Sequence, residues 1–251
     1  MASSHKAALE SRVLGGPAPA CAAARVIDFK ETEVKEYADY FAMVINDILT
    51  PEECAELISL VLPAHNAPWP PATMTAYNGS QIRDPSSWHC GRIIYNSKAV
   101  ADRLLDRILA HLPPEVVTLD NVPDVTGQMP VIRKEKWKIS RLNEALKFLK
   151  YEPGNYFRPH CDAHYEDKET GEKSFLTAHF YLKGGNGENS VEGGSTRFAV
   201  YFADPNAGKV DVNPKAGSVL IFQQRDMYHE GAGVNKGVKY TMRADVMYKK
   251  I

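Results

Sequence analysis

The tripeptide His160-Cys161-Asp162, followed 67 residues beyond the aspartate by His229, constrains the fold of this 251-residue chain more than any other feature. In an extended strand, side chains i and i+2 point to the same face. His160 and Asp162 can therefore grip one metal ion together while Cys161 points away. His229 must reach that ion from a distant strand, which requires a sheet that folds back on itself. Two imidazoles and one carboxylate on one face of an octahedral ion form the facial triad of non-haem Fe(II), with positions left open for other ligands. A lone His-x-Asp occurs by chance in many chains, so its surroundings decide.

Four segments supply those surroundings in register. Tyr151-Glu152-Pro153-Gly154-Asn155-Tyr156-Phe157-Arg158-Pro159-His160-Cys161-Asp162 resembles the first metal strand of the prolyl-4-hydroxylase-like Fe(II)/2-oxoglutarate dioxygenases. Gly193-Gly194-Ser195-Thr196-Arg197-Phe198 is similar to that family's GG-x-T-x-F strand. Pro214-Lys215-Ala216-Gly217-Ser218-Val219-Leu220-Ile221-Phe222 is similar to its P-x-x-G-x-x-x-x-F segment. His229-Glu230-Gly231 and Gly237-Val238-Lys239-Tyr240 follow in the family's order, and the resemblance spans residues 143–249.

That resemblance implies a double-stranded β-helix (jelly-roll), mainly β with N-terminal helices. It implies Fe(II) on His160, Asp162 and His229, with 2-oxoglutarate as cosubstrate, O₂ as co-reactant and ascorbate as a stimulant. The implied reaction couples decarboxylation of 2-oxoglutarate to succinate with oxidation of a substrate C–H bond, hydroxylation being the default outcome. The resemblance carries the anchor of the 2-oxoglutarate C5 carboxylate onto Lys239, with Thr241 as a hydroxyl contact. It makes Tyr151 and Tyr181 cosubstrate-pocket tyrosines, the plainer reading being core aromatics.

The residues themselves leave the anchor open. Lys239, Thr241, Arg243 and Asp245 alternate onto one strand face, opposite Tyr240, Met242, Ala244 and Val246. A cation on the inward face needs a partner. A bound carboxylate can pair with one of the two and Asp245 with the other. Arginine offers bidentate geometry that lysine lacks, which keeps Arg243 in contention. His160-x-x-x-His164 on a helix would suit zinc, but Pro159 and the aromatic flank disfavour a helix there, and His179 ranks lower still as a ligand. Arg92 reads as a structural salt bridge, with substrate contact as the alternative, and Cys161 as a packed thiol.

Along the chain, residues 1–25 are rich in Ala, Ser and Pro with a single acid, Glu10, and read as a disordered tail, a mitochondrial transit segment being the alternative. Residues 26–251 read as a single dioxygenase domain, with helical support and lid over 26–142 and the jelly-roll core over 143–251. Phe41 to Leu49 is a strand. Thr50-Pro51-Glu52-Glu53 is a capping box with proline at the first helical position, followed by Cys54, Leu57, Ile58, Val61 and Leu62 at helical spacing. A second helix runs from Ser97 to His111, with Val100, Leu104, Leu105, Ile108 and Leu112 on one face and Pro113-Pro114 at its end. Residues 63–90 form a long loop, the expected lid. Strands follow near 146–151, 156–162, 174–182, 195–203, 209–213, 217–223 and 238–248, with Gly184 to Gly194 as a hairpin loop at the barrel mouth.

A formal charge of −1, from 30 basic and 31 acidic residues, offers no basic excess for a nucleic-acid groove. The apolar runs fall short of the ~20 residues that span a bilayer, so no membrane segment is expected. Four cysteines without a CxxC or a disulfide-rich spacing, and no apolar signal core, suit a reduced cytoplasmic compartment. Three functions compete: an oxygenase of small-molecule metabolites, a peptidyl or prolyl hydroxylase, and a non-catalytic metal-binding jelly-roll.

Overall fold

The computed structural model describes residues 2–62, 67–75, 81–84, 86–184, 190–204 and 206–251. Two antiparallel sheets face each other. The nine-stranded major sheet runs Ala23–Val26, Ala42–Asn46, Val219–Gln223, Lys173–Lys183, Lys239–Lys250, Lys136–Leu142 and Thr118–Asp120, with Ala145–Tyr151 and Gly91–Asn96 branching from the long strand Lys239–Lys250. The minor sheet runs Val210–Val212, Thr196–Phe198, His229–Gly231, Tyr156–His160 and Trp88–His89. This is the jelly-roll arrangement.

Alternation along the strands explains the layers. On Lys239–Lys250, Met242, Ala244 and Val246 join Leu176, Ala178 and Phe180 of the neighbouring strand in a core covered by helices. The intervening residues of both strands, Lys239, Thr241, Arg243, Thr177, His179 and Tyr181, therefore face the minor sheet. Phe198, Leu220, Phe222 and Met227 fill the space between the sheets together with Phe29 and Tyr37.

The helix Pro51–Val61 opens on the expected capping box: Thr50 Oγ1 accepts from the Glu53 amide at 3.2 Å, and a Glu53 carboxylate oxygen accepts from the Thr50 amide at 2.9 Å. Its buried side is Cys54, Leu57, Leu60 and Val61. Leu62 is the C-cap and lies exposed, so the apolar stripe is rotated toward Leu60 relative to the expected set. The helix Lys98–Leu109 buries Val100, Leu104, Leu105 and Ile108, and Ser97 caps it. Pro114 opens a further short helix, Pro114–Val117, so the Pro113-Pro114 pair separates two helices. Arg107 and Glu53 join the two longer helices through a largely buried ion pair.

Three expectations need correction. Residues 1–25 do not stand off as a disordered tail: Ala2–Arg12 is a helix, and Leu9, Val13 and Leu14 enter the main core. Glu10 accepts from the Tyr95 hydroxyl at 2.7 Å and from Ser97, while Arg103 NH1 donates to the Glu10 and Val13 carbonyls at 2.8 and 3.0 Å. Docking, rather than local propensity, orders this segment. Within 63–90, residues 63–66, 76–80 and 85 lie outside the described residues, but the remainder is not structureless. Met74–Thr75 pairs with Gln81–Ile82, and Trp88–His89 joins the minor sheet beside Tyr156 and Phe157. Third, the strand expected over 195–203 is confined to Thr196–Phe198, because the chain turns at Tyr201–Asp204 and returns as Val210–Val212. In the expected mouth loop, residues 185–189 lie outside the described residues, and Glu192–Gly193 pairs with Val234–Lys236.

Candidate metal centre

The strand carrying His160 and the strand carrying His229 are neighbours in the minor sheet, with the two histidines directly opposite each other. Strand pairing ends at His160, and the chain continues unpaired through Cys161 to Asp162. His160, Asp162 and His229 each offer a ligand atom, and these atoms lie within 4.8 Å of one another. His160 Nε2 is 3.6 Å and His229 Nε2 4.0 Å from the same oxygen, Asp162 Oδ1. Nδ1 of His160 lies 2.8 Å from the Arg158 carbonyl and Nδ1 of His229 lies 3.1 Å from the Met227 carbonyl. A carbonyl accepts only from N–H, so both Nδ1 atoms carry the proton and both Nε2 lone pairs face the carboxylate. Burial lowers the pKa of His229 to about 4 and keeps it neutral, as a metal ligand must be.

Asp162 is buried and held by two further side chains. Thr177 Oγ1 donates to Oδ2 at 2.6 Å, and Arg243 NH1 pairs with Oδ1 at 2.9 Å. Burial works to raise the carboxyl pKa, but the Arg243 guanidinium beside it holds it well below the usual range. Arg243 also pairs with Asp245 at 3.1 Å, and Asp245 in turn takes Lys147 at 2.8 Å.

The triad stands on the wall of a pocket whose lining also includes Tyr151, Lys239 and Arg243. Lys239 is fully buried and has no carboxylate within ion-pair reach among the described residues. Its ammonium donates to the Gly194 carbonyl at 2.6 Å and lies 4.8 Å from the Tyr151 ring centroid and 5.8 Å from that of Tyr181. Gly194 adopts φ +70°, and a side chain there would crowd Lys239. Desolvation lowers the Lys239 pKa to about 8. Between Lys239 and Arg243, the buried Thr241 Oγ1 has no hydrogen-bond partner among the described residues, and neither has the buried Nε2 of His179. Tyr181 directs its hydroxyl to Thr196 Oγ1 at 2.7 Å. A polar floor with an uncompensated ammonium and an idle hydroxyl fits a carboxylate ligand opposite a metal.

Residues 146–244 match the family model of the 2OG-Fe(II) oxygenase superfamily. The chain carries a 2OG-Fe(II) oxygenase domain. Fe(II) and 2-oxoglutarate are thus the cofactor and cosubstrate of this oxygenase, and O₂ its oxidant. No curated protein matches the chain. Among solved structures, a viral collagen prolyl hydroxylase from Paramecium Bursaria Chlorella virus-1, in complex with 2OG, is 17% identical with a TM-score of 0.46, covering 82% of this chain and 95% of its own. A Pseudomonas putida prolyl-4-hydroxylase is 14% identical at a TM-score of 0.44, with 84% and 95% covered. A Trichoplax adhaerens prolyl hydroxylase, in complex with a hypoxia inducible factor peptide fragment, is 10% identical at 0.48, with 97% and 91% covered.

Several oxygenase pocket residues were not singled out from sequence. Lys147, Thr196, Phe222 and Glu230 line the pocket, and Thr177 holds Asp162. The usable signal was alternation: Lys147, Leu149 and Tyr151 share one face of their strand, as Thr177, His179 and Tyr181 do of theirs. His164, the rival ligand, lies apart from the triad, with Nδ1 3.0 Å from the Ser174 carbonyl and its ring against Phe175. Arg92 is not in a salt bridge to any described residue. It reaches Thr73 instead, NH2 donating to the carbonyl and, at 3.2 Å, to Oγ1.

Proposed function

We propose that this oxygenase hydroxylates, or otherwise oxidises, a small-molecule metabolite, with His160, Asp162 and His229 binding iron and Lys239 anchoring the C5 carboxylate of 2-oxoglutarate. The observation that carries the reading is a metal-ready triad sharing one pocket with a buried ammonium that no carboxylate of the described residues neutralises. When bound, Fe(II) would activate O₂, the oxidant, while 2-oxoglutarate would supply two electrons as it is converted to succinate and CO₂. The chain's own residues set the geometry. The Arg158 and Met227 carbonyls orient the two imidazoles. Thr177 and Arg243 orient the carboxylate, so Arg243 serves Asp162 and Asp245 rather than the cosubstrate. Thr241 offers its hydroxyl to the anchored carboxylate, and Tyr151 and Tyr181 wall the ammonium from water.

A small substrate, rather than a peptide, is favoured by the covering of one side of the pocket. The Ala72 amide donates to the Cys90 carbonyl at 2.9 Å and the Arg92 amide to the Pro70 carbonyl at 2.8 Å, and Ala72 joins Leu149 and Tyr151 of the pocket wall in one apolar cluster. In this reading the single domain of residues 26–251 also includes the N-terminal helix, whose Leu9 enters its core together with Val13 and Leu14. The cytoplasm is its compartment, in keeping with four unpaired cysteines. No helix among the described residues is long and apolar enough to cross a membrane.

The test is Fe(II)-dependent formation of succinate from 2-oxoglutarate, slow without substrate, stimulated by ascorbate and blocked by N-oxalylglycine. Acceleration by a metabolite fraction supports the small-molecule reading, whereas acceleration by proline-containing peptides alone moves the enzyme to the peptidyl hydroxylases. Metal binding without any affinity for 2-oxoglutarate would leave a non-catalytic jelly-roll.

A further inference from the structure

The pocket holds more positive charge than iron and 2-oxoglutarate require. Four cations line it, Arg92, Lys147, Lys239 and Arg243, while its acidic lining is Asp162 and Glu230. Most of these charges are already committed. Arg243 pairs with Asp162 and Asp245, Lys147 with Asp245, and Glu230 with Arg197. Lys239 is assigned above to 2-oxoglutarate. Arg92 remains, half-buried, with neutral partners on Thr73 through NH2 and with no carboxylate within ion-pair distance among the described residues. Its pKa is lowered by burial and by the neighbouring Arg243, as expected for a cation lacking a counter-charge.

Its place in the sheet separates it from the cosubstrate. Arg92 stands opposite Leu149, Leu149 opposite Thr241, and Thr241 opposite Tyr181, so the four form one row across the pocket face. Arg92 thus lies two strand spacings, ~10 Å, to the side of the strand that carries Lys239. Between Arg92 and the triad the wall is apolar: Leu149 and Phe157 belong to one cluster, and Phe157 stacks on His160 with ring centroids 3.9 Å apart.

Resting on the oxygenase reading above, we propose that Arg92 anchors the substrate, and that the substrate class is a small organic acid whose carboxylate pairs with Arg92 while its carbon chain crosses Leu149 and Phe157 toward the triad. A planar guanidinium matches a carboxylate in a two-pronged pair that a lysine cannot reproduce. A neutral substrate would leave this half-buried charge uncompensated.

The test uses the full chain loaded with Mn(II), as a redox-inert stand-in for Fe(II), and saturating N-oxalylglycine, which blocks the 2-oxoglutarate position. Calorimetric or ligand-detected NMR titrations then compare hexanoate and 3-phenylpropionate with hexanamide and 3-phenylpropionamide. We expect the acids to bind wild type at least ~10-fold more tightly than the amides, the range for one charge-assisted pair being ~10–100-fold. Arg92→Gln should bring the acids down to the level of the amides, and Arg92→Lys should fall between. Equal binding of acids and amides by wild type, or full retention of acid binding by Arg92→Gln, overturns the assignment. So does Arg92-dependent binding of a glutamate-containing peptide with no binding of the free acids. If wild type does not take up Mn(II) and N-oxalylglycine, the oxygenase reading falls and takes this assignment with it. Loading without acid preference sinks this assignment alone.

Discussion

Lys239 and Arg243 sit two positions apart on one strand face, yet their surroundings give them different work. Arg243 is neutralised twice, by Asp162 and Asp245, whereas Lys239 has, among the described residues, only a backbone carbonyl and two aromatic rings. Sequence could place both on the inner face but could not rank them, because Asp162, the residue that claims Arg243, lies on a remote segment. The buried ammonium also sets a pH dependence. Desolvation takes its pKa to about 8, against ~10.4 in the unfolded chain. Between those values the unfolded chain binds more protons, so the cost of burying this charge is present in full below pH 8 and is relieved as pH rises toward 10.4. Binding of 2-oxoglutarate needs the charged form and should respond in the opposite sense. Its affinity should be flat up to about pH 8 and then fall ~10-fold per unit, reaching ~30-fold by pH 9.5. Lys239→Arg should flatten that profile. Titrations of 2-oxoglutarate across pH 7 to 9.5 check this, and a wild-type affinity that does not change would remove Lys239 from the binding step.

At the scale of elements, strand alternation was the most legible signal. It set the inner and outer faces of Lys239–Lys250 correctly because both faces are buried by different layers, one by helices and one by the pocket. The capping box was equally legible, since all its bonds lie within four residues. The link between helices was not. Arg107 is buried and reaches Glu53 with both terminal nitrogens, at 2.8 and 2.5 Å, and also the carbonyls of Ile48 and Gly16. Such a contact spans more than fifty residues and has no local signature. Arg107→Ala leaves the Glu53 carboxylate without its counter-charge and should cost ~3–5 kcal/mol of unfolding free energy, measurable by urea denaturation. Thr50→Ala, which removes only the cap, should cost ~1 kcal/mol. If the two losses are equal, the ion pair is not what joins the helices.

For the whole molecule, sequence reached the jelly-roll through the run of short strands after a helical start and through the family motifs, but misread the first twenty-five residues. Their composition is that of a tail, and only the cleft formed by Leu9, Val13 and Leu14 against the helical core explains their order. Deleting residues 1–14 should therefore lower stability by about 2 kcal/mol or more, ~4–8 °C in melting temperature for a chain of this size. An unchanged melting temperature would restore the tail reading. Ligand-linked stability tests the central claim, a triad that holds the metal with Lys239 as the separate anchor for 2-oxoglutarate. Under anaerobic conditions, Fe(II) and then 2-oxoglutarate, each at ~100 times its dissociation constant, should stabilise wild type by ~2.7 kcal/mol apiece, ~5–10 °C each. His229→Ala should lose the Fe(II) increment, which His164→Ala keeps. At the same ligand concentrations, Lys239→Ala should keep the Fe(II) increment and lose that of 2-oxoglutarate, while Arg243→Ala retains most of the latter. The account is contradicted if Lys239→Ala keeps the 2-oxoglutarate increment and Arg243→Ala loses it.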